Sequence, residues 1–463
     1  MEEKKTDSGA VDSKAVDSKA VFDTEHLVKT YFTQALPVVF SMIIGLVYNL
    51  ADTYFIAQTG NTLVVAGVSV CAPVFTVLMA FGNVYAQGGS SLISRLMGKN
   101  DQGSVRRVSS FCFYLAIATG VVLAVPMIIF QGPILRMLGA SDDVMPYAGE
   151  YYLVLAVSAP AIILPFIHSN LLRCEGSSTL SMLGNVGGSV INIILDPVFI
   201  QVLGMGAAGA AIATVIGNLA SDLFFLVIVL KKSRYLSVDP RGWRVSGGEL
   251  RQIFSVGITA AVTNIASSVC VVVVNQCLKG YGDEKIAAWG ISSKVAMIAQ
   301  MVLIGLAFGG VPLFGYLYGG KDFKNLKKLL RFCVGFICGY GLVMAALIIA
   351  FAPWLVGIFM DDPGVNADSM VMLRWQVSGS AFAGVVLLFT CLFQATGKAA
   401  PALALSLSRQ GLVFLLVLGI AVLIAGYGGL LAAQPVADAL SAGLAVVMWK
   451  AAFRREAAPA GTS

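Results

Sequence analysis

The stretch GKNDQGSVRRVSSFC, residues 98–112, returns as GGKDFKNLKKLLRFC at 319–333. At this offset of 221 residues (319 − 98) Gly98 falls on Gly319, Asp101 on Asp322, Arg106–Arg107 on Lys327–Lys328, and Phe111–Cys112 on Phe332–Cys333. The register continues outward with small slips. Gly67 falls on Gly290, Pro133 on Pro353, and Gly176 after LLRCE on Gly397 after LFQAT. Self-similarity at one long period means that the chain is two copies of one architecture.

What each copy is made of follows from composition. Hydrophobic residues are 57% of the 463 and charged residues 12%, where a soluble chain carries about 25% charged. Apolar stretches of roughly 20 residues, enough to cross a bilayer, are read near 35–57, 64–90, 105–130, 150–171, 180–202, 207–230, 250–278, 286–317, 327–350, 371–395, 400–425 and 428–450. The fold class is therefore an all-α polytopic membrane protein. It has 12 transmembrane helices in two six-helix lobes related by an internal parallel repeat, a pseudo-twofold along the membrane normal. An even number of spans per half gives both halves one orientation and leaves a cleft between them.

The predicted divisions are a polar, disordered N-terminal tail at 1–30, an N-lobe at 31–230, an inter-lobe loop at 231–249, a C-lobe at 250–450 and a tail at 451–463. Residues 1–30 lack the apolar core of a cleavable signal peptide and carry AVDSK twice at 10–19. Basic residues collect in alternate loops: Arg95, Lys99, Arg106 and Arg107; then Lys231, Lys232, Arg234, Arg241, Arg244 and Arg251; then Lys321, Lys324, Lys327, Lys328 and Arg331. The positive-inside rule makes these loops and both termini cytoplasmic, in a plasma (cytoplasmic or inner) membrane. Basic residues scattered over short loops argue against a nucleic-acid surface. The eight cysteines show no paired ligand spacing and there are two histidines, His26 and His168. Neither a disulfide framework nor a structural metal site is expected.

Charges inside spans are costly and so point to function. Asp196 sits near the far end of the otherwise apolar run SMLGNVGGSVINIILDPVFIQVLG, with Asn192 one turn earlier on the same face. Asp52 lies about as far from the end of span 1 as Asp196 does from the end of span 5, and Thr214 in span 6 sits at that level. Two carboxylates, a carboxamide and a hydroxyl at one depth suit a shared proton or a desolvated Na⁺. The alternative is that both acids cap helix ends in the wet interface. The repeat places Asn275 opposite Asp52, and apolar residues near 413–417 opposite Asn192 and Asp196. The intramembrane acids are thus concentrated in the N-lobe.

YNLADTYF (48–55), RLMGKND (95–101), LLRCEG (171–176), NIILDPVFI (192–200), GAAIAT (209–214), GGVPLFGYLYGG (309–320) and AQPVADALS (433–441) together resemble the multidrug and toxic compound extrusion (MATE) family, bacterial type. The resemblance runs from about Tyr31 to Met448. It implies two six-helix lobes and export of organic cations in exchange for H⁺ or Na⁺, with an N-lobe cation site at Asp52, Asn192, Asp196 and Thr214. Pro37 matches a family proline proposed to let span 1 bend, the alternative being a static kink. Tyr151 and Asn170 in span 4 could extend the polar network, and Tyr151 reads equally as an interfacial anchor.

This sequence departs from another branch of the family, which carries acids in spans 7 and 10; here those spans have none, so a C-lobe cation site is not expected. Glu175 borders a cytoplasmic turn and reads as a solvated carboxylate, Asp222 as structural. Lys294 and Arg409 need partners across the cleft or a path to the interface, and Trp289, Met297 and Met301 are candidates for an adaptable cavity wall or for ordinary packing. The expected function is a secondary antiporter, not an enzyme, with no cofactor beyond the coupling ion, a drug-like cation as partner along with membrane lipid, and a monomeric state. Two rivals stay open. A transporter or flippase of a lipid-linked or non-cationic substrate would have more spans and a more basic cavity, and a membrane-embedded lipid transferase would need a His–Asp or Cys–His arrangement that the spans do not offer.

Overall fold

The computed structural model describes residues 21–242, 244–358 and 363–454, and among them every regular element is helical. The N-lobe holds α1 (Leu27–Ala57), α2 (Thr62–Gly98), α3 (Gln102–Ile129), the short α4 (Gln131–Met137), α5 (Met145–Val157), α6 (Ala159–Cys174), α7 (Ser178–Pro197) and α8 (Gly206–Lys231). The C-lobe holds α9 (Gly247–Lys279), α10 (Asp283–Gly319), α11 (Phe323–Gly357), α12 (Pro363–Ser378), α13 (Ser380–Ala395), α14 (Ala399–Arg409) and α15 (Leu412–Arg454). Span 4 is α5 and α6 joined at a 52° bend, and span 10 is α12 and α13 joined at a 44° bend. Large apolar side chains such as Val122, Leu223 and Leu423 stay exposed, as a lipid-facing surface requires.

At 43 residues α15 would be about 65 Å long if straight, twice the bilayer core. It is instead a hairpin. Gly426 leaves the helical region at φ 55°, where a side chain would be strained. Either side of it Ser408 and Ser441 share a hydrogen bond of 2.6 Å and Arg409 meets Asp438 at 3.0 Å, so the chain returns antiparallel. Span 11 is thus α14 plus the first part of α15 and span 12 the remainder, making twelve crossings.

The repeat is written in the backbone as well as in the sequence. Asn100 and Lys321, 221 apart, both take positive φ, 58° and 57°, and Gly176 and Gly397 match at 78° and 76°. Asp101 and Asp322, the next residues after Asn100 and Lys321, cap α3 and α11, accepting from the Ser104 amide at 3.0 Å and the Asn325 amide at 3.1 Å. The bends at Ser158 and Gly379 also fall 221 apart.

The lobes meet near the end that carries the basic loops, and glycines let the backbones touch there. A Cβ on Gly98 would collide with the Tyr316 carbonyl, and one on Gly319 with the Arg95 carbonyl, a reciprocal pair related by the repeat. One turn or more inward, Gly88 faces the Ile253 carbonyl and Gly257 the Val84 carbonyl, while Gly305 and Gly309 lie against Val39 and Ala35. Ser91 donates across the seam to the Gln394 carbonyl.

Two segments differ from the sequence reading. The sequence reading puts the polar tail at 1–30, but α1 begins at Leu27, and Val21 and Phe22 are packed while Asp23, Glu25 and His26 stay exposed. Phe22 is 2% exposed with its ring 5.2 Å from Tyr316, because an apolar side chain at the lobe seam is removed from water whatever the polarity of its neighbours. Residues 1–20 and 455–463 lie outside the described residues, and helix continues past 450 to Arg454.

Glu175 is not a solvated carboxylate. Its Oε1 accepts from the Ser233 hydroxyl at 2.5 Å and from the amides of Tyr235 and Leu236 at 2.8 and 2.9 Å, groups that the linker leaves without helical partners. Ser109, Ser110 and Tyr114 add bonds to the Ser237 and Val238 carbonyls, so the start of the linker is fastened to the N-lobe. Glu175→Ala is expected to cost on the order of 3 kcal/mol by orphaning these donors. A fall in the thermal midpoint of the purified protein, followed by alkylation of its buried cysteines, checks it.

Candidate functional site

The N-lobe polar site begins with how closely α7 and α8 approach. Gly188 and Gly217 face each other, with a Cβ on Gly188 only 2.5 Å from the Gly217 carbonyl and one on Gly217 only 3.1 Å from Asn192 Cβ. That contact sets Asn192 Nδ2 to donate to Thr214 Oγ1 at 3.3 Å. One turn on, Asp196 precedes Pro197, which lacks an N–H and leaves the Ile193 carbonyl without its helical partner. A π-helical turn, Val198–Val202, follows. Such widened turns recur at functional sites because they re-aim side chains and free backbone acceptors.

Asp196 is 0% exposed and Asn192 2%. Both Asp196 carboxylate oxygens, Asn192 Oδ1 and Asp52 Oδ1 are buried with no hydrogen-bond partner in the protein. Asp52, on α1, is close enough to Asp196 for the two charges to interact. Tyr48 and Tyr151 also lie within electrostatic reach of both acids. The structure therefore brings Asp52, Asn192, Asp196, Thr214 and Tyr151 into one cluster. Tyr48 belongs to it and was not singled out from sequence. Its signal was available, since it stands four residues before Asp52, the same spacing as Asn192 to Asp196.

The donor set is all oxygen, which fits a proton or a hard cation such as Na⁺ and not a soft metal. No group of three or more His, Cys, Asp or Glu among the described residues could hold a metal ion.

Other predicted residues lie elsewhere. Asn170 donates to the Phe166 carbonyl at 2.8 Å on its own helix, near the basic end, and is roughly five turns from Tyr151. With Gln87, Ser90, Arg173, Phe308, Val311 and Pro312 it lines a small pocket at the lobe seam. α1 runs unbroken through Pro37, and Ser41 Oγ donates to the Pro37 carbonyl at 3.0 Å. Trp289 packs against the C-lobe's own core. Asn275, Met297 and Met301 are half-buried and Lys294 is exposed. Arg409 finds its partner inside the C-lobe in Asp438, and Asp222 is buried with Oδ1 unpartnered.

A model of the family described as MatE matches residues 37–198 and 259–423, one block in each lobe. The multidrug export protein MepA of Staphylococcus saprophyticus is 30% identical over 397 residues, covering 86% of this chain and 88% of that protein. MepA of Staphylococcus aureus strain MRSA252 is 30% identical over 423 residues, covering 91% and 93%. Among solved structures, MATE in the straight conformation superposes with a TM-score of 0.88 at 24% identity, covering 95% of this chain and 99% of that one. An outward-facing multidrug resistance MATE transporter of the MOP superfamily gives 0.87 at 24%, covering 93% and 97%. At that identity the structures establish the twelve-span, two-lobe fold. The family match across both lobes, supported by relatives of nearly the same length, decides the rest: this chain belongs to the MATE family, and is a multi-pass membrane transporter and not an enzyme.

Proposed function

We propose that the chain is a secondary antiporter that exports organic cations and other amphipathic drug-like molecules in exchange for H⁺ or Na⁺, with coupling at Asp52, Asn192, Asp196 and Thr214. One observation carries this reading: four oxygens of Asp52, Asn192 and Asp196 are buried without a protein donor. Oxygens so placed are costly unless a proton or cation satisfies them for part of the cycle. Ion and substrate then compete for the same carboxylates and favour different arrangements of the lobes. The seam closed at the basic end corresponds to one extreme of such a cycle. The relatives' names as multidrug exporters, from bacteria, support drug-like cargo and the cytoplasmic membrane. The basic loops support cytoplasmic termini, and the chain acts as a monomer in lipid.

The test is efflux of a fluorescent lipophilic cation from proteoliposomes, first under a proton gradient without sodium, then under a sodium gradient. Flux driven by one gradient is the expected result. Flux with neither ion, in protein that still binds the dye, would exclude antiport.

A further inference from the structure

The apolar core of the N-lobe is one cluster, running from Ile56 and Val64 at one end to Leu96 and Met97 at the other. In the C-lobe the core is divided part-way along the helices. One cluster fills the basic-end half and two fill the opposite half. The cut falls between Val377 and Val385 in span 10, Leu405 and Phe414 in span 11, and Ala437 and Ala442 in span 12.

Two helices lose their geometry in that plane. Span 10 bends by 44° at Gly379, and span 11 leaves the helix at Gln410, φ −122° and ψ 41°, between α14 and α15. The N-lobe shares the bend, but α7 is continuous through the positions equivalent to Gln410. Polar groups occupy the plane in place of apolar ones. Arg409 Nε donates to Asp438 Oδ1 at 3.0 Å, with side chains 16% and 3% exposed, and Gln434 Nε2 donates to the same oxygen at 3.0 Å. The other carboxylate oxygen faces Gly379, 3.2 Å from where a Cβ would stand. One carboxylate thus touches the bend in span 10 and the residue at the break in span 11.

A buried ion pair adds little stability over a well-packed apolar pair of the same volume, so its position here is not accounted for by stability. Helix breaks and a divided core are the features by which one packed half can turn on another. We propose that the C-lobe is not a rigid body in transport: its outer half turns on its basic-end half at this waist, and Arg409 and Asp438 are positioning residues that set the angle. The inference rests on the alternating cycle proposed above, so lobe shape must be read separately from flux.

Spin labels at Ala367→Cys and Lys328→Cys, exposed at opposite ends of the C-lobe, report its shape in a background with the native cysteines replaced by alanine. A second pair, Thr62→Cys with Ala367→Cys, reports the outer mouth between lobes. Conditions that change the mouth distance are expected to change the 367–328 distance too, by roughly 3 Å or more, about half a helix pitch. The double variant R409M/D438L, apolar and of similar volume, is expected to fold, to lose that shift, and to lower the maximal efflux rate while leaving KM for the dye unchanged. R409K is expected to restore part of the rate. A 367–328 distance that stays fixed while the mouth moves, or a double variant that transports like the parent, overturns the proposal. A mouth that does not move under either ion, with no flux, overturns the transport cycle and this inference together.

Discussion

Asp196→Asn reduces gradient-driven efflux to the level of protein-free vesicles while the protein stays folded. The substitution keeps the shape of a side chain that is fully buried and has no hydrogen-bond partner on either oxygen, so the fold changes by no more than about 1 kcal/mol. It removes the one property that lets this position bind and release a cation, a carboxylate that gains and loses charge. Binding of a lipophilic dye in detergent then separates coupling from loss of fold: the variant still binds dye, more weakly for want of one carboxylate, and the coupling ion no longer displaces it. An Asp196→Asn variant that pumps at the parent rate in either gradient would remove this cluster from the mechanism. Asp52→Asn should show a partial form of the same defect, since Asp52 has one buried unpartnered oxygen and Asp196 two.

Gly98→Val opens the seam at the basic end. A Cβ at Gly98 lands on the Tyr316 carbonyl, which is backbone and cannot rotate away, so α2 and α10 must separate. Overpacking of this kind costs about 3 kcal/mol, a shift of roughly a hundredfold against the closed arrangement. Cys174 reports it, being 0% exposed with its Sγ 3.4 Å from the Ser90 carbonyl beside the seam. Its alkylation rate, read by mass spectrometry, should rise steeply in Gly98→Val and in Gly319→Val, and hardly at all in Gly132→Val, where a Cβ meets nothing. Equal rates in all three would mean that the glycine crossing does not hold the seam.

How much of this was legible in the sequence depends on what each residue's role requires. The repeat and the spans were, because membrane crossing demands long apolar runs and duplicated loops keep their caps and turns; Asp101 and Asp322 are the clearest case. The convergence of Asp52, Asn192, Asp196 and Thr214 was open to an argument from depth, since helix rise fixes height. Asn170 and Tyr151 are both polar and share span 4, yet they stand roughly five turns apart, at opposite ends of the span, a separation that helix rise alone dictates. Angle around the bundle is a different matter. Glu175 and Arg409 were misjudged or left open for one reason: their partners, the linker amides and Asp438, are brought near by tertiary packing that no local pattern encodes. Phe22 sits among polar residues, and burial of a single side chain leaves no periodicity to read.

The fastening of the linker through Glu175, Ser109, Ser110 and Tyr114 limits more than stability. From Val238, whose carbonyl accepts from Tyr114 of the N-lobe, to Ser246, which caps α9, is eight residues of chain. Fully extended they reach no more than about 28 Å, and a turn at Pro240–Gly242 takes up some of that length. The linker is therefore a short leash. However the lobes part on that side, α9 cannot travel beyond its reach from α3, which sets an upper bound on the width of the entrance and so on the girth of any molecule that enters there.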